Sequence, residues 1–245
     1  LANSHLNSNT GIHSQNVALL LSMEFNMFNT LNEYRVAAER HYQNSGYTFD
    51  KDNLSKIVAV MNHAFAQYSR VFAFRVDLRF PDNLFTRMLS EGSSRYHGAV
   101  LKAFFAELEK LFVLDQMRQA TNGKRVRKTA IRYVWAREQT AEAVVPHYHL
   151  MFFLNGDAYC SLGRFKSENM NLANKLRVAW HRAVFEADVS IDFCRRRGLV
   201  ELSEKGQHEV FSGDPVAIKK VLLHAAYLAK RESKRRGEGY QCFGG

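Results

Sequence analysis

Apolar positions along this chain switch repeatedly between a helical period and a strand period. Leu20, Met23, Met27, Leu31 and Tyr34 recur at roughly helical spacing over residues 16–42, until Gln43-Asn-Ser-Gly46 breaks the pattern. Leu54, Ile57, Val58, Met61, Phe65 and Tyr68 predict a second helix over 54–68. Residues 71–80 then alternate apolar and other side chains as a strand does, and Pro81-Asp82 stops them. A long stripe from Val100 through Leu101, Phe104, Phe105, Leu108, Leu111 and Phe112 predicts a helix over 96–114. Strands are expected at 131–139 and 146–154, a helix at 169–187, and weak strands near 199–202 and 209–211. Asp214 as N-cap and Pro215 at the first helical position open a last helix, expected to run to about Lys234.

The connection between the strands at 131–139 and 146–154 is short enough to close an antiparallel hairpin. With helices and strands interspersed, the expectation is an α+β fold, an antiparallel sheet with helices packed on one face. Residues 1–50 read as an N-terminal helical appendage and 51–245 as the main domain.

Composition narrows the partner. The chain has 245 residues, 46% of them hydrophobic, and 34 Lys and Arg against 24 Asp and Glu give a net charge of +10. A pI near 9.6 favours a polyanion, nucleic acid first. The apolar run at 17–21 is too short to cross a bilayer and lacks a basic leader, so no membrane is expected and the cytoplasm is the expected location. Cys160, Cys194 and Cys242 show no C-x-x-C spacing, which points away from a thiolate zinc site.

His147-Tyr148-His149 puts two imidazoles on one face of a strand. If the hairpin loop is centred between Glu142 and Ala143, Glu138 lies opposite His147 and shares that face. Two imidazoles and a carboxylate form a ligand set for a divalent metal, Mn²⁺, Mg²⁺ or Zn²⁺, with open positions for a phosphate oxygen. Asp77, on a strand expected to adjoin the histidines, is the alternative third ligand. Hydrogen-bonded strand histidines also show this spacing, and a register wrong by one would turn Glu138 away.

On the last helix His224, Tyr227, Lys230 and Lys234 recur at roughly helical spacing, so a phenol and an ammonium share a face. Tyr227 is a candidate nucleophile and Lys230 its cation; the competing reading makes Tyr227 a core residue among Val221, Leu222 and Leu228. Metal, phenol and ammonium together suggest phosphodiester cleavage. Lys124, Arg125, Arg127 and Lys128, with Lys234 further on, are candidate nucleic-acid contacts, and Tyr133, Trp135 and Tyr148 candidate stacking residues.

The order of motifs adds a resemblance. Phe72-Ala-Phe-Arg-Val-Asp77-Leu-Arg-Phe-Pro81, Arg137-Glu138, Pro146-His-Tyr-His-Leu150 and Tyr227-Leu-Ala-Lys230 occur in this order. Over roughly residues 70–235 the chain resembles the YagK/YfjJ-type and inovirus (filamentous-phage) gene-two-like replication proteins, which look like HUH endonucleases. The resemblance implies an HUH-like palm and a nicking and joining enzyme of rolling-circle replication. His147 and His149 would be metal ligands, and Tyr227, assisted by Lys230, would cut single-stranded DNA and stay on its 5′ phosphate while the freed 3′ hydroxyl primes synthesis. It further implies a bacterial host, its replication machinery as partner, and an origin that can take hairpin form. Arg231 stands one turn after Tyr227, where a second tyrosine occurs in some HUH enzymes, so a single-tyrosine mechanism is expected. The alternative is a non-catalytic DNA-binding regulator on the same fold.

Overall fold

A computed structural model describes residues 31–81, 94–139, 145–232, 234 and 241–245. The part of the first expected helix before residue 31 and the hairpin turn at 140–144 lie outside the described residues. The elements are α1 (Leu31–His41), α2 (Lys51–Gln67), β1 (Arg70–Leu78), α3 (Ser94–Thr121), β2 (Arg132–Glu138), β3 (His147–Asn155), α4 (Leu172–Phe185), α5 (Ile191–Arg197), β4 (Val200–Phe211), α6 (Pro215–Ala226) and β5 (Phe243–Gly244). The strands form one antiparallel sheet in the order β4-β1-β3-β2-β5, the α+β class expected.

Helices cover both faces of this sheet, not one. Every residue of β3 between its two ends is buried, which requires apolar neighbours above and below the strand. On one face Phe72, Phe74, Leu150, Phe152 and Leu154 pack with Phe104 of α3 and Trp180 of α4. The rings of Phe74 and Phe152, paired across β1 and β3, stack at 5.1 Å. On the other, Val71, Ala73, Val134, Met151 and Phe153 pack with Ala38 of α1, Ile57 of α2 and Val221 of α6. The signal for two-sided cover was the unbroken apolar run from Leu150 to Leu154, which a one-sided strand would have interrupted with polar residues.

α1 belongs to this second layer: Tyr34 is buried and its hydroxyl donates to the carbonyl of Leu222 on α6. Asp50 caps α2 through Asn53 N, and Asp214 caps α6 through the amides of Val216 and Ala217 with Pro215 at the first turn.

Three local expectations change. α6 ends at Ala226 rather than near Lys234; a 3₁₀ turn, Tyr227–Ala229, follows, and Lys230 turns extended (φ −58°, ψ 147°) to bridge Phe49. The two weak strands are one strand, β4, with a register shift opposite β1 between Phe74 and Val76. The short helix α5, capped by Ser190 and closed by Gly198 at φ 65°, was not expected, because seven residues are too few for a period to show.

Candidate metal and tyrosine site

On the face under α1, α2 and α6, the inward rows of three strands change from apolar to polar toward one end of the sheet. β1 reads Val71, Ala73, then Arg75 and Asp77; β2 reads Val134, Ala136, then Glu138; β3 reads Phe153, Met151, then His149 and His147. The register aligns these ends: Glu138 pairs with His147, Ala136 with His149, and Asp77 with His149 from the other side. The register anticipated from the sequence, Glu138 opposite His147, is the one observed.

Glu138, His147 and His149 thereby bring one ligand atom each within 4.8 Å of one another. The two imidazole Nε2 atoms are 3.1 Å apart, and Glu138 Oε2 lies 3.2 Å from that of His149 and 3.9 Å from that of His147. Nitrogen and oxygen donors on a common divalent ion, each about 2.0–2.2 Å from it, are roughly 3.0–3.5 Å apart, so this donor set fits a metal ion with little movement.

Asp77 is not a member of the set. Its Oδ1 lies 2.8 Å from the far nitrogen, Nδ1, of His149. A carboxylate there accepts a hydrogen bond from Nδ1–H and leaves Nε2 as the nitrogen facing Glu138 and His147, the usual support for a ligating histidine. Arg75 grips Asp77 through Nε and Nη2 at 2.8 and 3.0 Å. Its Nη2 also approaches His149 Nδ1 at 2.8 Å, but with the Nδ1 proton directed at Asp77 the guanidinium hydrogens belong to the carboxylate. Burial opposes ionisation of Asp77, yet bonds from His149 and Arg75 outweigh it and hold its carboxyl well below the usual range. Burial likewise disfavours charge on His149, and the bonds to Asp77 and Glu138 reverse this and raise its pKa. His147 is shifted down, by burial and then by His149.

Tyr227 and Lys230 reach the same place from the 3₁₀ turn after α6. Lys230 is buried, and its Nζ lies 2.6 Å from the Tyr227 hydroxyl and 3.1 Å from Glu138 Oε2. Burial works against its charge, but the bond to Tyr227 and the charge of Glu138 prevail and its pKa is raised. The pair was expected on one helix face; the extended turn at Lys230 achieves the proximity instead. The Arg75 guanidinium sits 4.8 Å from the centre of the Tyr227 ring, and the rings of Tyr42 and Tyr47 lie 5.9 and 5.8 Å from it. Arg75, Tyr42 and Tyr47 were not anticipated. Only Arg75 carried a signal, two positions from Asp77 and hence on the same strand face.

Other expected site residues fall elsewhere. Lys124, Arg125, Arg127 and Lys128 are exposed in the loop before β2, and Arg127 pairs with Asp157. They enter β2 at Arg132, whereas Glu138 closes it, so the loop and the ligand set lie about 20 Å apart along the strand. Lys234 is buried with its ammonium on the Lys230 carbonyl, and so is no surface contact for a phosphate backbone. Tyr148 is fully buried and Tyr133 stacks on Phe105 at 3.6 Å; they serve the core rather than a base platform.

These features define a two-layered-helix, antiparallel-sheet protein with a metal-competent Glu-His-His set beside a lysine-bonded tyrosine. The chain belongs to the YagK/YfjJ C-terminal domain family, which matches residues 30–245. It is 27% identical over 199 residues to the uncharacterized protein YagK of Escherichia coli (strain K12), covering 78% of this chain and 89% of that one. A shorter stretch of 58 residues is 36% identical to the uncharacterized protein YfjJ of the same organism, 24% of this chain and 27% of YfjJ. No solved structure gives a significant match. No helix among the described residues is long and apolar enough to cross a membrane.

Proposed function

We propose that the protein is a metal-dependent enzyme that nicks and rejoins single-stranded DNA through a 5′-phosphotyrosine on Tyr227, on an HUH-like palm. The observation that carries this reading is the Lys230 ammonium, lodged between the Tyr227 hydroxyl and the Glu138 carboxylate. A phenol is a weak nucleophile toward an anionic phosphodiester, and a buried ammonium donating to its oxygen puts positive charge where the phosphate would meet it. A divalent ion on Glu138, His147 and His149, Mn²⁺ or Mg²⁺ with Zn²⁺ also compatible, would neutralise a phosphate oxygen at this point.

The chain's own groups account for the rest. Arg75 and the Tyr42 and Tyr47 rings pack around the Tyr227 ring and hold its oxygen beside Lys230. In the step, the phenolate oxygen bonds to phosphorus as the bond to the 3′ oxygen breaks. The phenol proton has gone to water, and the departing 3′ oxygen takes one from water. The 5′ phosphate remains on Tyr227, and return of the 3′ hydroxyl reseals the strand without ATP. Rolling-circle replication of a phage, prophage or other mobile element in a bacterial cytoplasm is the setting we assign, with the host replication machinery as the consumer of the 3′ end.

The test is to incubate the protein with labelled single-stranded DNA and Mn²⁺ and to resolve the products under denaturing conditions. A covalent protein–DNA band is expected. Salt-sensitive binding with no such band in Mn²⁺, Mg²⁺ or Zn²⁺ would overturn the enzyme and leave a DNA-binding regulator.

A further inference from the structure

A pocket of about 460 Å³ adjoins the candidate site, sharing with it the side chain of Tyr42, which lines the pocket and packs 5.9 Å from the Tyr227 ring. Lys205 reaches it from β4, and Lys219 and Lys220 from α6. No Asp or Glu is among the described residues that line it. Like charges converging from two elements raise the local concentration of anions.

The backbone takes trouble to place Lys205. Leu202 pairs with Val76 and Gln207 with Phe74, so residues 203–206 of β4 stand against Arg75 alone. Such a bulge re-aims side chains and is concentrated beside functional sites. Here it lies opposite Arg75, a residue of the candidate site, and contains Lys205, which lines the pocket. On the floor, His208 Nε2 and His224 Nδ1 are 2.9 Å apart. Burial lowers both their pKa values, that of His224 to about 4, so the lysines supply the positive charge at neutral pH. His41 and Tyr42, their rings 4.8 Å apart, form an aromatic wall at one side.

We propose that this pocket holds the DNA strand flanking the bond at Tyr227, with backbone phosphates on Lys205, Lys219 and Lys220 and an unstacked base against His41 and Tyr42. Lysines beside aromatic faces are what single-stranded nucleic acid requires of a groove. The proposal takes the identity of the strand from the nicking reading. It assigns the DNA path to this side of the sheet end and not to the loop at 124–128, which lies at the far end of β2.

The experiment measures anisotropy of fluorescein-labelled oligothymidylate across a salt series, without metal, for three proteins: wild type, Lys205→Ala/Lys219→Ala/Lys220→Ala, and Lys124→Ala/Arg125→Ala/Arg127→Ala/Lys128→Ala. Three lost phosphate contacts should lower the salt slope of the pocket variant by about 2 and its affinity at least about tenfold near 0.1 M salt, more than in the loop variant. Lys205→Glu alone, at an exposed position, should weaken binding in the same direction if the triple variant folds poorly. Wild-type affinity and slope in both pocket variants would overturn the proposal. Adduct formation is read separately in wild type with Mn²⁺. An adduct with pocket variants that bind normally removes the pocket and leaves the nicking; lost binding in the pocket variants with no adduct in wild type removes the nicking and leaves the pocket.

Discussion

Asp77 Oδ1 lies 2.8 Å from His149 Nδ1, across a β1–β3 pair in which these two residues are direct partners. The carboxylate holds the Nδ1–H, which leaves Nε2, the nitrogen facing Glu138 and His147, as the one that a metal would take, and it raises the basicity of that nitrogen. Replacing Asp77 with Asn keeps the shape but loses the charge, so metal affinity should fall about 10- to 100-fold. Isothermal titration with Mn²⁺ or Zn²⁺ checks this, and unchanged affinity would reduce Asp77 to a partner of Arg75.

Metal binding should stabilise the folded chain through the Glu-His-His set. At a hundredfold excess over the dissociation constant the gain is about 2.7 kcal/mol, visible as a rise in Tm. His147→Ala and His149→Ala should each lose most of that rise while the metal-free Tm stays near wild type for the half-exposed His147. A full metal-dependent rise in the double variant would place the ion elsewhere.

Tyr227→Phe retains the ring that packs with Tyr42, Tyr47 and His149. It should bind DNA as wild type does and form no adduct, because only the nucleophilic oxygen is removed. Peptide mapping that found DNA on another tyrosine would move the reaction centre.

Burial, followed by the charges of His208 and Arg75, depresses the His224 pKa to about 4. The folded state therefore holds this imidazole neutral while the unfolded chain protonates it near 6.5. Its contribution is fully present above pH 6.5 and declines as pH falls toward 4, the unfolded state binding the extra proton. His224→Gln should flatten the wild-type loss of stability over that window in denaturant titrations; parallel pH profiles for the two proteins would contradict the assignment.

Tyr34→Phe removes the hydroxyl that donates to the buried Leu222 carbonyl. Leaving that acceptor without its donor should cost about 1–3 kcal/mol. Chemical denaturation that followed a single transition, shifted by this amount, would show that α1 unfolds with the rest; no shift would make α1 dispensable to the core.

Short-range regularities carried much of this site in the sequence. A strand's period of two, together with a loop of known centre, suffices to put Glu138 beside His147 and to turn His149 to the same face, because antiparallel pairing is arithmetic once the turn is located. The Asp214-Pro215 start of α6 was equally legible, since capping is decided within one turn of chain. What lay between distant segments was not. The strand of Asp77 was expected beside the histidines, but that it joins β3 on the side away from β2, and so meets His149 at Nδ1 instead of entering the ligand set, is encoded by no local period. Lys230 meets Glu138 because the chain leaves the helix at Tyr227 and pairs with Phe49, a contact formed only when the segment preceding α2 packs against the end of α6. The cover on both faces, the bulge opposite Arg75 and the burial of Lys234 follow from the same cause: each is decided by which layers meet, and so by the packed tertiary structure rather than by any stretch of sequence read alone.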